Sequence, residues 1–276
     1  SLAAIRVHGQ PAPYDPRIAD AEQIGVEDGL ASRAPYAWQE LPPAGKPGAV
    51  VVIVGSPRSG TSHLCNLLAH SGQFSYLTTT TCWTWPVYNL THPGRRLFTA
   101  LGDAVLAVDN KRTRIIPGLV MPGEAEDVWA RAMPIYRHLA GHRYEITPAA
   151  PDRPGILLAA ASAHLSYFGA RVLLAKTPFN SFRIPQIEAL WGSSVRYIHI
   201  IRDQQETADS MRRNRFEFVH QGRPLPAEAT WSLFVDAVRD HAPADRLVTV
   251  THRELMRNPG HVLAHIAERL DLGTKP

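Results

Sequence analysis

The segment VVIVGSPRSGTSHL, residues 51–64, has the composition of an anion-binding loop between a strand and a helix. Gly55 and Gly60 allow the backbone to approach an anion closely, and the first N–H groups of a helix favour negative charge. The planar guanidinium of Arg58 matches a pair of phosphate or sulfate oxygens. A glycine-rich turn that only packs would not need four polar or charged donors within eight residues. The predicted anion-binding residues are Ser56, Pro57, Arg58, Ser59, Gly60, Thr61 and Ser62.

This loop differs from the phosphate loop of nucleoside triphosphatases, G-x-x-x-x-G-K-[ST], because Thr61 occupies the lysine position. Those enzymes also place an acidic Mg²⁺ ligand after a second strand. Here the segments LLAKTP and IHIIRD end in Lys176 and Arg202, and Asp203 is predicted to begin a helix. We therefore expect side chains, and no metal ion, to neutralise the anion. A P-loop kinase or nucleoside triphosphatase remains an alternative.

A second candidate anion site follows the strand predicted at 194–201. Arg202 is at its carboxyl end, and Ser210 lies about two turns into the next predicted helix. Both side chains can donate to the oxygens of an anion. An arginine at this position is common and is a weak indication of an anion site by itself. Its occurrence together with the first loop makes the prediction of a second anion site more specific.

Together the two segments resemble the cosubstrate motifs of the sulfotransferases, which use 3′-phosphoadenosine 5′-phosphosulfate (PAPS). PRSGTS is similar to the family's first loop, and IHIIRDQQETADS is similar to its second motif. LLAKTPFN supplies a lysine after a strand, and LVTVTHRELMRNPGHVLAHIAERLDL is similar to the family's closing strand and helix. The resemblance extends over roughly residues 49–273, and only loosely over 78–150. The KTP sequence is nearer to the bacterial and protein-tyrosine branches than to the cytosolic aryl and steroid enzymes.

The resemblance implies roles for these residues. Arg58 would take the place of a lysine common in cytosolic members, and Thr61 and Ser62 would hold the 5′-phosphate. Arg202 and Ser210 would hold the 3′-phosphate. Lys176 would contact the sulfuryl oxygens or the leaving group, so that 3′,5′-ADP forms without a metal ion.

The general base is not given by the resemblance, because Pro178 stands where cytosolic members have the histidine of KTH. An acceptor hydroxyl needs such a base. The segment MPGEAEDVW is similar to an acidic cluster of other members, and Glu124 is our first candidate, before Glu126 and Asp127. His138 and His142 are weaker candidates. Acidic residues in a first helical turn also occur simply because they favour the helix dipole.

Two further departures from the family pattern concern the nucleotide site, and the first of them, together with the missing KTH histidine, leaves a catalytically silent nucleotide-binding or glycan-binding relative open. His63 occupies the position of an aromatic residue that stacks on adenine, and the R-K-G segment of the cytosolic members' 3′-phosphate site does not occur within residues 1–276. Arg212, Arg213 or the basic segment 109–114 are candidate substitutes.

An aromatic group lies where the family builds its acceptor pocket, and it belongs either to that pocket or to the core. In the pocket it would favour a flat or amphipathic acceptor, such as a phenol, a sugar or a lipid headgroup. The expected activity is therefore sulfuryl transfer to a hydroxyl of a small-molecule, glycan or lipid acceptor. The group comprises Phe74, Tyr76, Trp83, Trp85 and Tyr88.

Strands alternate with helices after Val50, which predicts an α/β fold with a P-loop and a parallel sheet flanked by helices. Proline-rich residues 1–47 are predicted to form an extended arm packed on a domain over 48–276. Residues 74–154 are predicted to be a helical and irregular acceptor-binding insertion. Within it, EDVWARAMPIYRHL is predicted to be helical, as is NSFRIPQIEALW further on.

The composition limits the kinds of ligand and the cellular locations that fit this protein. The formal net charge of +4 suits an anionic ligand but is too small to indicate nucleic-acid binding. No apolar run approaches the roughly 20 residues of a membrane-spanning helix. Two cysteines favour a reducing compartment. We expect a bacterial cytoplasmic protein, with the lumenal domain of a membrane-anchored enzyme as the alternative.

Overall fold

The computed structural model describes most of the chain after residue 48. The described residues are 49–71, 74–77, 122–147 and 172–270, together with Pro154, Gly155, Leu157, Leu158 and Ala161. The predicted arm over 1–47 and much of the predicted insertion lie outside them, so these two predictions stay predictions.

Nine strands form among the described residues. They are β1 (Ala49–Val54), β2 (Phe74–Tyr76), β3 (Tyr136–Ala140), β4 (Arg143–Ile146), β5 (Val172–Lys176), β6 (Val195–Ile201), β7 (Glu217–His220), β8 (Arg223–Leu225) and β9 (Leu247–Thr251).

Seven α-helices accompany them in the same part of the chain. They are α1 (Thr61–His70), α2 (Glu126–Ala132), α3 (Ile184–Trp191), α4 (Gln204–Arg213), α5 (Ala227–His241), α6 (His252–Arg257) and α7 (Pro259–Arg269). Short 3₁₀ helices cover Pro178–Phe182, Gly192–Ser194 and Ala244–Arg246.

The main sheet is parallel, with the strand order β2-β5-β1-β6-β9. Every residue of β1 from Val50 to Val54 is fully buried, as expected for a central strand covered on both faces. The predicted α/β fold with a parallel sheet is confirmed. Because parallel strands end at one edge, the segments that follow β1, β5, β6 and β9 meet there.

A second sheet, with the order β3-β4-β7-β8, was not predicted. The predicted helix over EDVWARAMPIYRHL is wrong in its second half, because α2 ends at Ala132 and β3 begins at Tyr136. Pro134 disfavours the helical conformation for Met133, whose φ and ψ are −141° and 78°. Gln221 and Gly222, both with positive φ, form the turn between β7 and β8.

The helix ends follow local sequence rules. Thr251 and Glu254 form the predicted capping box of α6. Asn258 caps α7, with Pro259 at its first turn, as predicted. The predicted helix over NSFRIPQIEALW is instead divided at Arg183 into a 3₁₀ helix and α3.

Candidate active site

The loop after β1 needs both of its glycines. Gly55 has a φ of 144°, and a Cβ there would lie 2.6 Å from the carbonyl oxygen of Ile200. Gly60 has a φ of 103°, and a Cβ there would lie 2.6 Å from the ring of His252. The N–H of Gly55 donates to the hydroxyl of Ser181 at 3.1 Å. Neighbouring segments therefore hold the loop closely against the edge of the sheet.

The donors of this loop are available to an anion. Gly60 is the N-cap of α1, and no side chain caps that helix, so the first amide groups keep their partial positive charge. The hydroxyl groups of Ser56 and Ser59 are buried without a hydrogen-bond partner among the described residues. Unpaired buried hydroxyls are costly, and an anion in the loop is a suitable acceptor for them. These features fit the predicted anion site.

Arg58 has a left-handed backbone conformation, with a φ of 69°. This conformation costs about 1–2 kcal/mol for a residue other than glycine. Its Nε donates to the hydroxyl of Ser210 at 3.1 Å, which links the first loop to α4. Arg58 itself is exposed to solvent, whereas Ser210 is buried.

Arg202 lies beside this loop, directly after β6. Its Nη1 lies 3.5 Å from the carbonyl oxygen of Arg58, and its Nε donates to Glu206 at 3.0 Å. The indole of Trp231 donates to the carbonyl oxygen of Arg202 at 3.1 Å. Both arginines line one cleft of about 340 Å³, which Pro57, Gly60, Thr61 and Ser62 also line. The two cationic residues predicted to bind separate anions therefore share a cleft.

Lys176, the last residue of β5, joins the loop to the first candidate base. Its side chain is 4% exposed, and its Nζ donates to the hydroxyl of Ser62 at 3.0 Å and to Glu124 at 2.7 Å. The Glu124 side chain is 44% exposed and lines the cleft. The Lys176 ammonium group thus contacts the Glu124 carboxylate and the Ser62 hydroxyl at the end of the loop.

Glu126 has a different environment from Glu124. Its carboxylate accepts hydrogen bonds from Thr177 at 2.6 Å and from two nitrogens of Arg183, at 2.5 and 3.1 Å. The Arg183 side chain is fully buried and also donates to the carbonyl oxygen of Met133 at 2.9 Å. Ala125, between the two glutamates, has a left-handed φ of 49°. These contacts favour a structural role for Glu126, and they hold Glu124 next to Lys176.

Sequence reasoning missed several residues that line the cleft. His252 begins α6 behind the predicted capping box, and the other missed residues come from the second sheet and the segment after β5. Burial, together with the nearby charges of Arg202 and His63, lowers the pKa of His252. Burial, together with Glu124 and Glu126, raises the pKa of Tyr144 to about 12. The missed residues are Tyr144, Pro178, Phe179, Phe216 and His252, and His142, predicted as a weaker candidate base, also lines the cleft.

Two of the aromatic residues predicted for the acceptor pocket belong to the core. Phe74 and Tyr76 are buried in the cluster between the main sheet and its helices. Trp83, Trp85 and Tyr88 lie outside the described residues, as do segment 109–114 and the side chain of Asp127.

Other candidates are engaged elsewhere. Arg212 makes ion pairs with Asp209 and Glu228. Asp203 caps α4 by accepting the N–H of Glu206 at 2.9 Å, and the His138 ring contacts the carbonyl oxygen of Gly141 at 2.7 Å.

No group of three or more His, Cys, Asp or Glu side chains among the described residues could hold a metal ion, and the predicted metal-free site stays a prediction. In the same part of the chain, no helix is long and apolar enough to cross a bilayer.

A parallel α/β sheet with a glycine-rich loop and a second arginine in the same cleft is the arrangement expected of a protein that binds an anionic ligand at the carboxyl edge of its sheet. A model of the sulfotransferase family matches residues 50–276, and the chain belongs to this family. The predicted resemblance is thereby confirmed.

The solved structures to which the chain is similar include three bacterial sulfotransferases. STF1 from Mycobacterium tuberculosis H37Rv has 13% identity and a TM-score of 0.50, over 89% of this chain and 73% of that chain. STF9 from Mycobacterium avium has 16% identity and a TM-score of 0.48, over 91% and 68%. The sulfotransferase domain of the Synechococcus PCC 7002 olefin synthase has 21% identity and a TM-score of 0.45, over 84% and 76%. The comparison with curated protein sequences gave no match.

Proposed function

We propose that this sulfotransferase takes its sulfuryl group from PAPS and transfers it to a hydroxyl of a small-molecule, glycan or lipid acceptor. The observation that carries the proposal is that Arg58 and Arg202 share a cleft. The pairing of Lys176 with Glu124 at 2.7 Å in the same region supports it. PAPS has anionic groups at two positions of one nucleotide, so its recognition requires two cationic positions within one cleft.

The first loop would bind the phosphosulfate end of the donor. Its support is the uncapped α1 and the unpaired hydroxyls of Ser56 and Ser59. The second site would bind the 3′-phosphate, and its support is Arg202 beside the loop. Ser210 would contribute through its contact with Arg58. The donor supplies a sulfuryl group attached to a phosphate leaving group.

Lys176 and Glu124 would carry the transfer. In the reaction the acceptor oxygen bonds to sulfur, the bond between sulfur and the bridging phosphate oxygen breaks, and the acceptor proton passes to Glu124. The products are a sulfate ester and 3′,5′-ADP. Lys176 can stabilise the charge that develops on the leaving phosphate, because a positioned cation is worth more there than in bulk water. Lys176 also donates a hydrogen bond to Ser62 of the loop. Its ammonium group can therefore move from the Glu124 carboxylate to an oxygen of PAPS, which leaves the carboxylate free to act as a base.

The kinase or triphosphatase alternative has weaker support. Such an enzyme would need an acidic ligand for Mg²⁺ beside the loop, and Asp203, the acid after β6, caps α4 instead. The silent-relative alternative makes a different prediction: 3′,5′-ADP binds, and no acceptor is sulfated.

Binding and transfer together test the proposal. We expect 3′,5′-ADP to raise the melting temperature more than Mg·ATP does, and radiolabelled PAPS to label an acceptor in a mixture of phenols, alcohols, sugars and lipids. Glu124→Gln should retain 3′,5′-ADP binding and lose transfer, whereas Glu268→Gln, at an exposed position on α7, should retain both. Stabilisation by Mg·ATP alone would contradict the proposal. Binding of 3′,5′-ADP without transfer to any acceptor would favour the silent relative.

A further inference from the structure

One side of the cleft is aromatic. This aromatic wall consists of His142, Tyr144, Phe179 and Phe216, which all line the cleft. The rings of His142 and Phe216 are stacked, with centroids 4.7 Å apart and an angle of 11° between their planes. The rings of Tyr144 and Phe179 meet edge to face, with centroids 5.0 Å apart. The wall therefore offers flat faces and ring edges to a ligand.

A second hydrophobic core holds the wall in place. Phe179 stacks on Tyr136 with centroids 4.2 Å apart, and it also packs near Phe218 and Phe234. Phe218 and Phe234 are almost completely buried. Because close-packed interiors restrict side-chain movement, the part of the wall formed by Tyr144, Phe179 and Phe216 is a preformed surface.

The aromatic wall lies next to the proposed reacting groups. Glu124 is close enough to Tyr144 to raise its pKa, and Glu124 pairs with Lys176 at 2.7 Å. Phe179 and Pro178 follow Lys176 in the chain by two or three residues. A hydroxyl on a molecule held against the wall would thus lie near both the proposed base and the sulfuryl group.

The charge at the wall disfavours an anionic acceptor. Among the described residues that line the cleft, the arginines belong to the donor side, and Glu124 is the acid beside the wall. The Tyr144 phenol is neutral at physiological pH, as any tyrosine with an ordinary or raised pKa is. The wall itself offers few polar partners, namely the Tyr144 hydroxyl and the His142 ring, whereas a sugar would need partners for several hydroxyls.

Resting on the proposed function, we infer that the acceptor is a neutral aromatic alcohol, with its hydroxyl on the ring or one carbon away, and that its ring packs on the aromatic wall. This inference names the acceptor class that the proposed function leaves open.

A matched pair of acceptors tests the inference. Benzyl alcohol and cyclohexylmethanol are primary alcohols of similar size and acidity, and they differ in the flatness and π-system of the ring. Aromatic contacts contribute beyond the area they bury, so we expect kcat/KM with PAPS to be about tenfold higher for benzyl alcohol. Benzyl alcohol with a carboxylate in the para position, and methyl glucoside, should both be poorer acceptors than benzyl alcohol.

Two variants test whether the preference for benzyl alcohol depends on the aromatic wall. Phe216→Leu keeps an apolar side chain but removes a ring that faces the cleft, and it should reduce the preference to roughly threefold or less. Phe182→Leu is the control, because Phe182 packs on Phe234 in the same core and does not line the cleft. It should retain the wild-type preference.

The outcomes separate this inference from the proposed function. Equal rates for the two alcohols, or faster transfer to methyl glucoside, would overturn the inference and leave PAPS-dependent transfer intact. If neither alcohol reacts, the dissociation constants of the two alcohols are compared on the protein saturated with 3′,5′-ADP. Equal dissociation constants would overturn the inference. Failure of 3′,5′-ADP to bind would overturn both.

Discussion

The Nε atom of Arg58 donates to the hydroxyl of Ser210 over 3.1 Å and so joins the phosphate loop to α4, 152 residues further along the chain. The terminal nitrogens of Arg58 make no hydrogen bond with the described residues and remain available to a ligand. This hydrogen bond therefore links the two sequence motifs of the proposed donor site. Loss of either side chain should affect both parts of the donor site.

Arg58→Ala should reduce kcat/KM for sulfuryl transfer by roughly 10²–10³-fold, the loss seen when one donor to a developing anion is removed. Arg58→Lys keeps the charge but loses the planar fork and the Nε bond to Ser210, so we expect partial activity. Steady-state kinetics with labelled PAPS measure both. Wild-type turnover in Arg58→Ala would show that this guanidinium does not act on the transferring group.

Arg202→Ala should remove most of the preference for 3′,5′-ADP over 5′-AMP. A hydrogen bond to a charged group contributes about 1.5–3 kcal/mol, so the ratio of the two dissociation constants should fall by roughly 10–150-fold. Isothermal titration gives both constants.

Arg212→Ala is the matched control, because Arg212 does not line the cleft and pairs with Asp209 and Glu228. A larger change in Arg212→Ala than in Arg202→Ala would assign the 3′-phosphate to the other arginine.

Glu126→Ala should destabilise the protein by about 3–5 kcal/mol, because it leaves the fully buried guanidinium of Arg183 without a counter-charge. Urea unfolding at neutral pH measures the free energy of unfolding. The control is Asp236→Ala, which breaks an exposed ion pair with Arg239 and should leave that free energy near the wild-type value. A stable, inactive Glu126→Ala protein would instead favour a catalytic role for Glu126.

His199 should make the stability depend on pH. Burial within β6 lowers its pKa from 6.5 to about 4, and its side chain is 4% exposed. Between these two values the unfolded chain binds the proton and the folded chain does not, so the free energy of unfolding decreases as pH falls from 6.5 towards 4. Once the pH is below both pKa values, His199 should have lowered the free energy of unfolding by roughly 3 kcal/mol.

The measurement compares urea unfolding of wild type and His199→Leu from pH 7 to pH 4.5. The variant should lose less stability than wild type over this range, whereas His265→Leu, at an exposed position, should follow wild type. Parallel curves for wild type and His199→Leu would contradict a neutral buried imidazole.

Much of the donor side of the cleft could be predicted from short stretches of sequence. The β-branched run before Gly55, the capping box of Thr251 and Glu254, and the cations after two strands are local features. Parallel strands end at one edge of a sheet, so Lys176 and Arg202 were expected to lie near the loop.

The acceptor side could not be predicted in this way. The pairing of Glu124 with Lys176, 52 residues apart, depends on the left-handed turn at Ala125 and on the buried contacts of Glu126. The aromatic wall depends on a second sheet in which β4 pairs with β7, far along the chain.

The sequence by itself determined most strands of the main sheet, the caps, the loop and its cations, because each depends on the preferences of neighbouring residues. Only the tertiary structure decided which carboxylate meets Lys176, which serine meets Arg58 and which rings face the cleft. These pairings depend on the order of strands in two sheets and on the packing between them, and hydrophobic periodicity within a segment does not encode that order.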